Sequence, residues 1–134
     1  MSKRWINGAI SVVAIIVGCV IYVFLRSGTW IAKIFDSIPV VMRGKVLFDG
    51  YPLKFLRYYF PDFLWGLSLA TALYAVNAQG NLYFSAVLAI CCGGLWEMLQ
   101  FFGVVSGTGD LLDLALYILA GISAYLINQR REKK

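Results

Sequence analysis

Ile6–Leu25, INGAISVVAIIVGCVIYVFL, runs for twenty residues without a charged side chain. At 1.5 Å per residue a helix of that length spans about 30 Å, the thickness of a bilayer's hydrocarbon core. Further apolar stretches follow at about 62–77, 82–105 and 110–127. Of the 134 residues, 60% are hydrophobic and only 14% are charged, where soluble domains carry about 25% charged residues. The mean hydropathy is +0.75. These features predict an all-α membrane protein with four transmembrane helices. An interfacial loop joins helices 1 and 2, and residues 1–134 form a single integral membrane domain.

Gly8, Ser11 and Gly18 lie near one another on the first helical wheel, a small-residue stripe that suits close helix packing. The start Met1-Ser2-Lys3-Arg4 resembles that of a cleaved leader. The apolar run is too long for one and lacks a small-x-small site before Arg26, so the segment is expected to be retained.

Between residues 27 and 60 the composition changes. Ile31, Ile34, Phe35 and Ile38 follow the spacing of one helical face, which reads as a short amphipathic helix at the interface, ended by Pro39. Arg43-Gly44-Lys45 then separates Val40-Val41-Met42 from Val46-Leu47-Phe48, either as a turn between short strands or as a kinked interfacial segment. Lys54, Phe55, Arg57, Tyr58 and Tyr59 bring cations and aromatic rings together, as at a membrane–water boundary. Pro61-Asp62 is a helix-start signal, because proline fits the first turn and a carboxylate favours the positive end of the helix dipole.

The net charge of +5 sits in the flanks and in the first loop, and nucleic acid is not an expected partner. Four spans put both termini on one side. Six cations lie there (Lys3, Arg4, Arg130, Arg131, Lys133, Lys134) and six in the first loop, so only the compact basic tail points to cytoplasmic termini. Cys19, Cys91 and Cys92 lie inside apolar runs and offer no CxxC pair, which reads as packing. The chain has no histidine, which removes Ser-His-Asp and Cys-His catalysis and the usual zinc sites. No catalytic residue, metal-ligand set or cofactor is read from the residues.

With this topology Asp62, Glu97, Asp110 and Asp113, four of the seven acidic residues, converge on one half of the bundle. Asp62, Asp110 and Asp113 open helices, where capping and the dipole reward carboxylates. Glu97 has no such explanation. It stands eight residues before Val105, roughly 12 Å below the expected helix end. A carboxylate at that depth must be protonated, paired or wetted. Gln100 shares its face at i+3, Gly93 at i−4 leaves room for a neighbouring helix, and Arg57 and Lys54 are the candidate cations.

Glu97-Met98-Leu99-Gln100 followed by Gly107-Thr108-Gly109-Asp110-Leu111-Leu112-Asp113 resembles the signature of VanZ-like membrane proteins: E-x-x-Q ending one helix, a short loop, and D-x-x-D opening the next. Pro61-Asp62 is also similar to the helix start of some members, and the resemblance covers residues 57–125. It implies a bacterial cell-envelope membrane protein, the namesake being associated with low-level resistance to the glycopeptide teicoplanin. The chain departs from the family in lacking a histidine at the start of the second helix, an arginine in the loop before D-x-x-D, and an Asn where Tyr117 stands. The expected ligand-binding set is Glu97, Gln100, Asp110, Asp113, Asp62, Arg57, Thr108 and Tyr117.

These residues suit a non-catalytic pocket for an amphiphile headgroup, a lipoglycopeptide or another membrane protein, with the lipid bilayer as the standing partner. Two alternatives stay open. One is a carboxylate-based transporter or enzyme handling a divalent ion or protons, and the other is a structural subunit of a membrane complex.

Overall fold

The structure is a computed structural model that describes residues 3–25, 51–77, 81–107 and 109–132. The expected amphipathic helix at 31–38 and the Val40–Phe48 segment lie outside these residues, as does Thr108. Every regular element described is helical: α1 (Lys3–Leu25), α2 (Tyr51–Tyr58), α3 (Phe60–Val76), α4 (Leu82–Phe101) and α5 (Leu111–Glu132).

Three of these helices are long and apolar enough to cross a membrane, over Lys3–Val23, Tyr83–Phe101 and Leu111–Arg130. α3 is equally apolar but has 17 residues, about 25 Å of helix against a hydrocarbon core of about 30 Å. It is also the central helix, touching each of the other four. Its buried positions, among them Leu64, Gly66, Ser68, Ala70, Thr71 and Tyr74, cover more than half of its circumference, and the narrower face left over carries the exposed Leu69 and Val76. Both faces are apolar, so it has no amphipathic pattern.

The contacts fix the directions of the helices. Ser11 meets Ser68, and Arg4 reaches the carbonyls of Ala75 and Val76, so α1 and α3 are antiparallel. Gly93 faces Tyr117 while Ile90 faces Gly121, so α4 and α5 are also antiparallel. Gly66 lies against Tyr117 and Ala120, which places α3 and α5 side by side. Of the small-residue stripe, Ser11 and Gly18 serve the α1–α3 contact. A Cβ on Gly18 would lie 2.8 Å from the Trp65 ring, whereas one on Gly8 would meet nothing within 4 Å. Gly8 therefore takes no part in close packing.

Polarity is inverted relative to a soluble protein. Asn7, Ser68, Thr71, Ser85, Glu97 and Asn128 are buried, while Val13, Ile16, Phe84, Val87, Leu95 and Leu119 are exposed. An outward apolar surface of this kind suits lipid as solvent, because packing between helices there depends on small residues and interhelical hydrogen bonds. Asn7 Nδ2 donates to Asn128 Oδ1 at 2.7 Å, and Asn128 Nδ2 donates to the Ala124 carbonyl at 2.9 Å. The hydroxyl of Ser68 also donates to the Ser11 carbonyl at 3.0 Å.

Asn7→Leu removes the donor to Asn128, and interhelical bonds of this kind contribute about 0.6 to 1.7 kcal/mol. Reversible unfolding in mixed micelles is expected to show a loss of that size. The Asn7→Leu/Asn128→Leu pair should lose less than the two single variants summed.

Candidate functional site

α4 ends earlier than its hydrophobicity suggests. The apolar run continues to Val105, but Gly103 has φ +69, the left-handed conformation in which glycine meets no Cβ penalty. Val104 N donates to Leu99 O and Gly103 N to Gln100 O, both at 2.9 Å. This is the Schellman arrangement, which satisfies the last carbonyls of a helix and stops it. Glu97 therefore stands four residues before Phe101, the last helical residue, or about 6 Å from that end, half the depth expected from the sequence.

A carboxylate in the last turn of a helix faces the unfavourable end of its dipole. Glu97 is instead directed at the start of α5, where its Oε2 accepts from the backbone N of Asp110 at 3.2 Å. Asp110 is itself the N-cap: its Oδ1 accepts from Leu112 N at 3.0 Å, and its carbonyl takes the first helical bond from Leu114 N. One carboxylate thus satisfies the amide of the residue that caps the next helix. Gly109 makes this approach possible, since a Cβ there would lie 2.8 Å from Phe101 N and 2.9 Å from Glu97 O.

The predicted residues divide between two sides of the α4–α5 hairpin. On the inner side Tyr117 is buried and wedged between two glycines, a Cβ on Gly93 falling 2.3 Å from its ring and one on Gly66 falling 2.9 Å from it. Its phenol lies within electrostatic reach of Asp62, Glu97 and Asp113, carboxylates from three different helices. Asp113 lies one turn before Tyr117 on α5, as Asp62 does before Gly66 on α3. Arg57 is half-buried at the end of α2, its guanidinium 5.2 Å from the Tyr58 ring centroid. The amide of Gln100, one turn after Glu97 on α4, lies over Gly107.

On the outer side lies a cavity of about 590 Å³ between the end of α4 and the start of α5. Glu97 and Asp110 line it together with Gly94, Met98, Phe101, Phe102, Gly109, Leu111 and Leu114. Glu97 is 7% exposed, and Phe101 and Phe102 meet edge to face at the rim with centroids 5.6 Å apart. Sequence reasoning missed these walls. Gly94 and Phe101 stand at i−3 and i+4 from Glu97, where the one-face rule would have found them; Met98, at i+1, lies outside that rule. Cys19, Cys91 and Cys92 are free thiols on exposed surface, away from this cavity. Among the described residues no group of three acidic, His or Cys side chains is placed to share a metal ion.

No family model, curated protein or solved structure matches the chain.

Gly93→Val places methyl groups where the Tyr117 ring lies, and overpacking of this kind costs about 1–3 kcal/mol. A lowered melting temperature in detergent is expected for Gly93→Val. Gly93→Val/Tyr117→Ala should recover part of that loss, and a double variant no more stable than Gly93→Val would refute the wedge.

Proposed function

We propose that the chain is a multi-pass protein of the bacterial cell membrane that binds an amphiphile through the cavity centred on Glu97. α3 serves as a fourth span, both termini are cytoplasmic, and the polar signature is VanZ-like. One observation carries the binding reading. A carboxylate more than nine-tenths buried lines an apolar cavity of about 590 Å³, within the size range of small-molecule sites, whose few polar groups orient the ligand. The outward apolar faces of α4 and α5 would lead a hydrocarbon tail to the cavity from lipid, leaving a headgroup at the carboxylates. A lipoglycopeptide or the helix of a partner protein could use the same walls.

A structural role for Glu97 is supported by its bond to the Asp110 amide, which joins α4 to α5 without any ligand.

Leu114→Trp, which fills the cavity without changing charge, separates binding from structure. A ligand at about a hundred times its Kd adds about 2.7 kcal/mol to stability. Purified parent protein should therefore show a raised melting temperature with long-chain amphiphiles, and Leu114→Trp should not. Equal responses from parent and Leu114→Trp across the panel would leave the structural role standing alone.

A further inference from the structure

Resting on that binding reading, we infer that the headgroup accepted by the Glu97 cavity is an ammonium group, so that the site selects cationic over anionic amphiphiles. Among the described residues the lining contains no Lys, Arg or His, and its polar side chains are the carboxylates of Glu97 and Asp110. An ionised carboxylate is acceptor-only, so an incoming head must bring donors, and a phosphate or carboxylate head would meet like charge with nothing to donate to it. Glu97 uses Oε2 for the Asp110 amide, while Oε1 takes no hydrogen bond from the described residues. The side chain is more than nine-tenths buried and still lines the cavity, so this oxygen retains its acceptor capacity there.

The cost of an uncompensated carboxylate among apolar walls is several kcal/mol, and a cation seated beside it offsets that cost. The rim adds a second form of complementarity. Phe101 and Phe102 are 75% and 69% exposed and stand edge to face, and aromatic faces attract ammonium groups through their quadrupoles. Hydroxylated heads could donate to Oε1, but they would not neutralise two carboxylates or gain from the rings. Ammonium satisfies all three features.

The test titrates the full-length protein, in neutral maltoside micelles, with dodecylamine, dodecyl phosphate and dodecyl glucoside, and reads binding from the thermal shift. Dodecylamine is expected to bind at least about tenfold more tightly than dodecyl phosphate. Glu97→Gln, which keeps the side-chain shape and can still accept from Asp110 N, should bring the amine and the glucoside to within about threefold of each other. Asp110→Asn should reduce the preference for amine over phosphate without removing it. Equal binding of amine and phosphate by the parent, with Leu114→Trp abolishing both, would overturn the ammonium inference and leave the cavity reading intact. Binding of no probe, or a Leu114→Trp variant that binds all three, would overturn both.

The source of the ammonium is resolved in nanodiscs of equimolar phosphatidylethanolamine and phosphatidylglycerol, by native mass spectrometry of the released protein. Preferential retention of phosphatidylethanolamine by the parent and not by Leu114→Trp supports a membrane-lipid headgroup. Equal retention of the two lipids, together with dodecylamine binding in micelles, supports a free cationic amphiphile. Preferential retention of phosphatidylglycerol at the cavity would overturn the inference.

Discussion

With apolar side chains covering the outside of the bundle, a polar group placed among the helices gains most from a partner found there. In hydrocarbon no water stands ready to replace a missing partner, and an unsatisfied donor or acceptor costs several kcal/mol. This constraint explains why the buried polar residues come in sets. Asn7 bonds Asn128, which bonds the Ala124 carbonyl, and Ser11 and Ser68 bond each other. Thr71 turns its hydroxyl back onto the Leu67 carbonyl. The same constraint governs the site, where Glu97 and Asp110 together satisfy two amides at the start of α5.

The two sides of the hairpin follow from small residues. Gly66 and Gly93 admit the Tyr117 ring between α3 and α4, and that wedge brings Asp62 and Asp113 near its phenol and keeps them apart from the outer cavity. Gly109 lets the loop lie on the end of α4, so that Glu97 faces two environments at once, the amide at the start of α5 and the open volume beyond it.

Composition and run length made the helical character of the chain legible, because twenty uncharged residues in lipid have one economical conformation. The convergence of acids at one end was also legible, since hairpin topology follows from short loops such as Asn77–Asn81. Other features depended on a competition that hydrophobicity does not report. The run up to Val105 reads as helix, but the left-handed Gly103 ends it at Phe101, four residues before, and this moved Glu97 closer to the helix end. Gly103 is the usual C′ signal, outweighed in the reading by the more conspicuous Ser106–Gly109 break. The partner of Glu97 was hidden for another reason: sequence reasoning looks to side chains such as Arg57 for a counter-charge, whereas the group that meets it is a backbone amide, which leaves no mark on residue type.

The difference between α1 and α3 has a consequence for biogenesis. α1 emerges from the ribosome first, and its best window has a mean hydropathy of 2.4 against 1.5 and 1.7 in α4 and α5. It can therefore rest in a bilayer with no protein neighbour. α3 is shorter and carries Ser68 and Thr71, and it packs on the ridge that α1 presents, where Ser11 and Gly18 meet Ser68 and Trp65. Synthesis order and bundle order then coincide: the most apolar span becomes the dock for the shorter α3, and α4 and α5 pack on the other sides of α3.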